Sequence, residues 1–197
     1  MTDAVEDAVS AALGGNLIVM PTDTVYGIGT RADDPGATTK LFEAKGRARD
    51  VELPVLVAAV ADAARIAVFD GRARALAARF WPGALTIVLR RAAPSERWDL
   101  GGDARTIGVR IPRHALSLAV LARTGPLAVT SANRTGEPTP VTCEALTDVF
   151  GDLVDVYLCD PDPLHGVAST VVSLLGEQVS ILREGSLPAD AIARALE

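Results

Sequence analysis

Short apolar runs alternate with helical segments along most of the chain. The runs of strand length lie at 17–20, 54–60, 85–89, 107–111, 127–130, 154–158, 170–174 and 179–182. The segments with helical character lie at 3–13, 35–44, 61–67, 71–80, 115–123, 142–150 and 188–196. This alternation predicts crossover units of strand, helix and strand, which are typical of an α/β protein.

Local signals mark the ends of several of these elements. Asp34 directly before Pro35 predicts an N-cap followed by proline in the first helical turn. The last two apolar runs fit a hairpin that turns at Gly176, so antiparallel strands join the crossover units. We predict one domain over residues 1–197, in the α/β class in the broad sense that includes α+β, with a twisted mixed parallel and antiparallel sheet and flanking helices. The irregular polar segment 90–103 is predicted to be a flexible loop.

Composition narrows the class of protein. A chain of 197 residues with 49% hydrophobic and 22% charged residues is a soluble globular domain by composition. Its net charge of −6 disfavours a protein that coats nucleic acid non-specifically. Residues 104–136, however, contain five arginines and no Asp or Glu. This acid-free stretch favours an anion-binding cleft, with solvated surface arginines as the alternative.

Two further features bear on where the protein works. The first twelve residues carry acidic residues and no basic leader region, and no apolar run approaches the ~20 residues of a membrane span. We therefore expect a cytoplasmic protein without membrane contact. Cys143 and Cys159 show neither a CxxC spacing nor a nearby histidine pair, so we expect two free thiols rather than a zinc site or a disulfide.

The familiar nucleotide and hydrolase motifs are absent from the sequence. It contains no phosphate loop, no complete GxGxxG motif after a strand and no GxSxG elbow. Other polar groups remain as candidates. Lys45 and Arg47 flank a glycine and would project to one side of an extended loop, although basic residues also decorate helix C-termini. Ser131 and Asn133 follow an apolar strand, where a ligand rim or a simple polar turn is expected. Arg110 lies inside an apolar strand, where an unpaired guanidinium is costly to bury.

Seven blocks in order resemble one known family, the YrdC-like threonylcarbamoyl-AMP synthases, in their short bacterial form with a single domain. The blocks are Pro21–Gly29, Lys45-Gly46-Arg47, Phe80–Thr86, Gly108–Pro112, Thr130–Gly136, Ser169–Val172 and Ile181–Gly185. They cover residues 15–185, which is nearly the whole chain. The resemblance implies an enzyme of the nucleotidyltransferase class with a concave, positively charged pocket. It would join L-threonine, bicarbonate and ATP into threonylcarbamoyl-AMP and pyrophosphate, for the threonylcarbamoyladenosine modification of tRNA.

The resemblance also implies roles for nine residues. Those implied to act in catalysis are Lys45, Arg47, Ser131 and Asn133. Those implied to bind ATP are Lys45, Arg47, Thr106, Ser131, Asn133 and Arg183. Those implied to bind L-threonine are Thr24, Arg110, Ser131 and Ser169. Mg²⁺ is expected to arrive with ATP, without dedicated protein ligands. A separate tRNA threonylcarbamoyl transferase is the expected downstream partner, because the extra C-terminal domain of longer relatives is not expected here.

Departures from the family pattern at two positions keep alternatives open. Val51 stands where the family usually has Lys or Asn, and Arg49 is one possible replacement for that contact. Ser173 stands where Asp is common. The segment 90–103 is a hypothetical lid over the pocket. The alternatives are an enzyme of the same fold with another amine or carbamoyl substrate, and a non-catalytic RNA-binding or ribosome-maturation factor with weak RNA contact. Few aromatic residues, 4% of the chain, disfavour the RNA-binding factor.

Overall fold

A computed structural model describes residues 2–196 and contains a mixed sheet flanked by helices. The strands are β1 (Ile18–Met20), β2 (Gly27–Arg31), β3 (Val55–Leu56), β4 (Leu85–Arg90), β5 (Thr106–Arg110), β6 (Leu127–Ser131), β7 (Val156–Tyr157), β8 (Thr170–Ser173) and β9 (Ser180–Arg183). The helices are α1 (Thr2–Leu13), α2 (Pro35–Lys45), α3 (Val60–Ile66), α4 (Gly71–Phe80), α5 (Ala115–Thr124), α6 (Cys143–Phe150) and α7 (Ala189–Arg194). Over this range no helix is long and apolar enough to cross a membrane.

The strand order across the sheet is β7-β1-β2-β6-β3-β5-β4-β8-β9. Parallel pairs join β1 to β7, β3 to β5 and β4 to β8, while the other neighbours pair antiparallel. The predicted mixed sheet with flanking helices is therefore confirmed. The order also places β6, β3, β5 and β4 at the centre, so the residues at their ends converge on one region of the molecule.

Most predicted elements are present, and their end signals work as expected. The Asp34 carboxylate accepts hydrogen bonds from the backbone N–H of Gly36 at 2.8 Å and of Ala37 at 3.3 Å, which caps α2. The strand predicted over 54–60 is wrong in length, because β3 has two residues and α3 begins at Val60. The apolar run continues into the first turn of a helix, and periodicity alone does not separate the two.

The sequence pattern missed β2 altogether. Glycines at positions 27 and 29 have low strand propensity, which concealed the strand. In the sheet they lie against β6: a Cβ at Gly27 would stand 2.6 Å from Val129 Cγ1, and one at Gly29 would stand 2.7 Å from the Ala128 oxygen. The glycines therefore let two strands approach where a side chain has no room. Because Gly27 pairs with Ser131, the loop before β2 meets the turn after β6.

The segment 90–103 packs into the fold rather than over a pocket. The buried Arg91 donates from Nε to the Thr106 oxygen at 2.6 Å and from Nη1 to the oxygens of Ser95 and Trp98. Leu100 has no exposed surface. None of residues 90–103 lines either of the two cavities described below. The hypothetical lid over the pocket is not supported.

The expectation of two free thiols is wrong, because Cys143 and Cys159 form a disulfide. Their Cα atoms are 5.6 Å apart, and the bond joins the start of α6 to the segment after β7. Spacing along the chain did not reveal this pairing, since the fold brings together two elements that are 16 positions apart.

Removal of this disulfide is expected to destabilise the protein. Replacement of both cysteines by serine should lower the free energy of unfolding by about 3 kcal/mol, because the closed loop restricts the unfolded chain. Urea unfolding with and without dithiothreitol measures the effect. The double-serine variant, which has no thiol, should not respond to dithiothreitol. An oxidised wild type that unfolds at the same urea concentration as the variant would contradict the prediction.

Candidate functional site

A first cavity of about 130 Å³ lies where the central strands end. Its walls combine hydroxyl groups with three guanidinium groups, and no Asp or Glu is among the described residues that form them. The Ser and Thr residues are Thr22, Thr24, Thr86, Thr130, Ser131 and Ser169, and the arginines are Arg47, Arg110 and Arg183. Of the nine residues predicted from the family resemblance, six line this cavity: Thr24, Arg47, Arg110, Ser131, Ser169 and Arg183.

Arg110 at the end of β5 is held in place by three different partners. Its Nε donates to the Gly83 oxygen at 3.0 Å, Nη1 to Thr24 Oγ1 at 3.0 Å and Nη2 to Asp23 Oδ1 at 2.7 Å. Only 7% of the Arg110 side chain and 16% of the Asp23 side chain are exposed. Burial lowers the pKa of the Arg110 guanidinium, and the carboxylate of Asp23 opposes this effect. The two side chains therefore form a buried ion pair.

Asp23 is the functional residue that the sequence reasoning missed. Its carboxylate also accepts a hydrogen bond from the backbone N–H of Arg113 at 2.8 Å, so it fixes the loop before β2 against the end of β5. A usable signal was present. A guanidinium inside an apolar strand needs a carboxylate partner, and the polar block 21–27 offers one only at Asp23.

Paired hydroxyl groups and Arg183 also line the first cavity. The hydroxyls of Thr22 and Thr24 are 2.9 Å apart, and those of Thr86 and Ser169 are also 2.9 Å apart. Arg183 donates from Nε and Nη2 to the Ser169 oxygen at 3.1 and 2.9 Å, and from Nη2 to Ser169 Oγ at 3.2 Å. These hydrogen bonds orient the Arg183 guanidinium along the cavity wall and leave some of its N–H groups for a ligand.

Arg47 is positioned by the backbone of its own loop. Its Nε donates to the Val51 oxygen at 3.2 Å and its Nη2 to the Glu52 oxygen at 3.0 Å. Burial lowers the pKa of Arg47, and the nearby Arg183 guanidinium lowers it further. Among residues 2–196 no carboxylate lies within 4 Å of either guanidinium group. These two arginines therefore favour a bound anion between them.

Lys45 lies behind the cavity rather than in its wall. Its Nζ donates to the oxygens of Ser131 and Asn133, both at 2.5 Å, and lies 3.4 Å from Asn133 Oδ1. The side chain of Asn133 in turn accepts from Ser131 Oγ at 2.5 Å. Burial, with Arg47 nearby, lowers the pKa of Lys45 to about 8, so it is still an ammonium at pH 7. Lys45 thus fixes the turn that presents Ser131, and neither Lys45 nor Asn133 lines a cavity.

A second cavity of about 240 Å³ adjoins the first and shares Arg47, Pro54, Thr86 and Arg183 with it. Its other walls are mostly apolar and come from the loop before β3, the strands β4, β5 and β8, and the edge strand β9. These wall residues are Val51, Glu52, Val88, Gly108, Val171 and Leu182. Such a site suits a flat apolar group whose charged end lies at the arginines.

The second cavity also bears on the two departures from the family pattern, Val51 and Ser173, and on the position of Thr106. The Val51 side chain lines it, whereas Arg49 turns away to bind Asp99 and Thr39, so Arg49 does not replace the missing polar contact. Ser173 lines neither cavity. Thr106 lies at the opposite end of β5 from Arg110 and reaches the second cavity only through Glu52.

The acid-free stretch 104–136 does not form the cavity wall as a unit. Of its five arginines, only Arg110 lines a cavity. Arg105 pairs with Asp103 at 2.8 Å, and Arg123 pairs with Glu6, which is far away in sequence. Arginines of this acid-free stretch therefore form ion pairs with carboxylates from other parts of the chain.

The Glu52 carboxyl group should make stability depend on pH. Burial raises its pKa to about 7, against the opposing effects of Arg91 and Thr106. A raised pKa in the folded state contributes stability at low pH that is lost as pH rises through about 7. From pH 5 to pH 8 the free energy of unfolding of wild type should fall by about 2 kcal/mol relative to Glu52→Gln. Urea unfolding at both pH values tests this, with exposed Glu43→Gln as the control. A difference between wild type and Glu52→Gln that is the same at both pH values would refute it.

Comparison with known proteins gives consistent similarities. The Sua5/YciO/YrdC family model, whose description is telomere recombination, matches residues 10–185. A Mycobacterium tuberculosis protein provisionally named threonylcarbamoyl-AMP synthase is 43% identical over 191 residues, which are 96% of this chain and 87% of that protein. The Bacillus subtilis threonylcarbamoyl-AMP synthase is 35% identical over 184 residues, which are 89% of this chain and 51% of that protein. The crystal structure of Pyrococcus abyssi Sua5 complexed with L-threonine matches with a TM-score of 0.88 and 31% identity, over 98% of this chain and 57% of that chain.

Proposed function

This chain belongs to the Sua5/YciO/YrdC family, and from this premise we propose that it is an L-threonylcarbamoyladenylate synthase. It forms threonylcarbamoyl-AMP and pyrophosphate from L-threonine, bicarbonate and ATP, which makes it a nucleotidyltransferase. The observation that carries the proposal is the placement of Arg47 and Arg183, without carboxylate partners, between a hydroxyl-lined cavity and an apolar one.

The first cavity is the proposed site for L-threonine. Arg110 uses three of its five N–H donors within the protein, which leaves two for the carboxylate of the amino acid. Asp23 keeps this guanidinium oriented. The hydroxyls of Thr24, Ser131 and Ser169 supply hydrogen bonds for the polar groups of a small amino acid.

The shared wall and the second cavity are the proposed site for ATP. Arg47 and Arg183 would bind the triphosphate, and the apolar second cavity would hold the base. Among residues 2–196 no group of three or more His, Cys, Asp or Glu could hold a metal ion. Mg²⁺ would come with the nucleotide, and phosphate oxygens and water would serve as its ligands.

The proposed chemistry requires positioning more than covalent help. The amine of threonine adds to bicarbonate with loss of water to form a carbamate, whose oxygen then attacks the α-phosphorus while pyrophosphate leaves. Negative charge then develops near Arg47 and Arg183, which are held by backbone oxygens before the reaction begins. Lys45 and Asn133 act as positioning residues in this scheme, because they fix the turn that carries Ser131.

The product would serve a separate transferase that places the threonylcarbamoyl group on tRNA. Purified protein tests the proposal by pyrophosphate release from ATP, with and without L-threonine and bicarbonate, and by mass spectrometry of the product. Pyrophosphate release should require both co-substrates. Release that continues without either one would refute the synthase, and equal rates with other amino acids would favour an enzyme of the same fold with another substrate.

A further inference from the structure

Glu52 places a carboxyl group in the wall of the second cavity. It lies in the loop between α2 and β3, and its backbone oxygen holds Arg47 Nη2 at 3.0 Å. Among the described residues that line the two cavities it is the only acidic one. A carboxyl group is unusual in an otherwise mostly apolar wall, because its burial is costly unless something binds it.

The hydrogen bonds of this carboxyl group are incomplete. Oε2 accepts from Thr106 Oγ1 at 3.3 Å, while Oε1 is buried and has no hydrogen-bond partner within residues 2–196. Arg91 Nη2 is 3.7 Å from Oε1, which is too far for a hydrogen bond. The two groups form an ion pair at this distance, while backbone oxygens hold Arg91 Nε and Nη1. Because Oε1 is buried, a ligand can reach only Oε2, which accepts one hydrogen bond from Thr106 and has a lone pair left for a further donor.

The rest of the cavity offers little to distinguish one base from another. Val88, Val171 and Leu182 offer apolar contact to any flat ring, and Gly108 adds no side chain. The Thr86 hydroxyl also lines this cavity, but it is hydrogen-bonded to Ser169 Oγ of the first cavity. The two arginines stand at the boundary with the first cavity, where the phosphates are proposed to bind. Recognition of the polar edge of a base by a side chain thus rests on Glu52.

Building on the proposed function, we propose that Glu52 accepts a hydrogen bond from the exocyclic 6-amino group of the purine and so selects 6-amino over 6-oxo purine nucleoside triphosphates. A 6-oxo purine would turn a carbonyl oxygen toward the carboxyl oxygens, and an unsubstituted purine would leave them without a donor. At pH 8, above the pKa of about 7, the Glu52 carboxyl group is mostly ionised. Hydrogen bonds to a charged group are strong enough for a preference of about 10- to 100-fold at this pH.

The test compares ATP with inosine triphosphate and purine riboside triphosphate in the pyrophosphate assay. Wild type should favour ATP by about 10- to 100-fold in kcat/KM, mainly through KM. Glu52→Ala should lose this preference, and Glu52→Gln, which keeps an acceptor oxygen, should retain part of it. Glu43→Ala, an exposed carboxylate on α2, is the matched control and should leave the preference unchanged.

Two outcomes would overturn the role of Glu52: a wild type that uses ATP and inosine triphosphate equally well, or a Glu52→Ala variant that loses activity with all three nucleotides in equal proportion. The second outcome would mean that Glu52 only positions Arg47. Calorimetric titration of the same nucleotides separates this failure from that of the proposed function. A protein that binds ATP in preference to inosine triphosphate yet releases no pyrophosphate would refute the synthase and support the selection.

Discussion

Arg47→Ala should reduce pyrophosphate release by about 100- to 1,000-fold while the protein stays folded. The guanidinium is aimed by the oxygens of Val51 and Glu52 and stands at the boundary of the two cavities, where the triphosphate is proposed to bind. Its removal takes away a donor that is already in place for the charge that develops as pyrophosphate leaves. Steady-state kinetics with saturating L-threonine measure the loss, and circular dichroism checks the fold.

Arg49→Ala provides the matched control for this prediction. Arg49 is two positions away and equally basic, but it pairs with Asp99 at 2.7 Å and lies over the Phe42 ring, outside both cavities. Its replacement should leave pyrophosphate release close to wild type. Equal losses in the two variants would show that general positive charge, and not the placement of Arg47, supports the reaction.

Asp23→Ala should lower the free energy of unfolding by about 3 to 5 kcal/mol, the largest effect on stability that we expect. The substitution leaves the charge of Arg110 buried without its carboxylate partner. Affinity for L-threonine should fall as well, because Asp23 orients the guanidinium. Urea unfolding and threonine titration measure the two effects.

A double variant separates the loss of the ion pair from the loss of a side chain. Asp23→Ala/Arg110→Leu removes both charges and should be more stable than Asp23→Ala by at least about 1 kcal/mol. Asp33→Ala, which breaks an exposed pair with Arg31, should cost less than about 1 kcal/mol. Additive losses in the double variant would contradict the view that an unpaired buried charge causes the destabilisation.

Local signals in the sequence determined the helices and most of the strands. Caps such as Asp34, the apolar periods and the glycine turns each act within a few residues, so they can be read without knowledge of the fold. The same signals failed to predict β2, because its glycines are required by close packing against Val129 on a neighbouring strand. Residues 54–60 misled it because an apolar run does not show where a strand ends and a helix begins.

Part of the candidate site could also be predicted from the sequence. The sequence motifs, through the family resemblance, predicted Thr24, Arg47, Arg110, Ser131, Ser169 and Arg183, and the fold brings these six residues to one cavity. Their residue types alone point to anion and hydroxyl recognition.

Only the tertiary structure determines which residues far apart in the sequence contact each other. The Asp23–Arg110 pair, the Cys143–Cys159 disulfide and the placement of Lys45 behind the wall join positions between 16 and 88 apart in the chain. Local sequence fixes backbone preference and side-chain chemistry. Whether a charge meets a counter-charge, a carbonyl oxygen or a ligand depends on which strands become neighbours. The acid-free stretch 104–136 shows the difference, since folding supplies carboxylates to Arg105, Arg110 and Arg123. Arg47 and Arg183 receive none from residues 2–196, which leaves them for an anion.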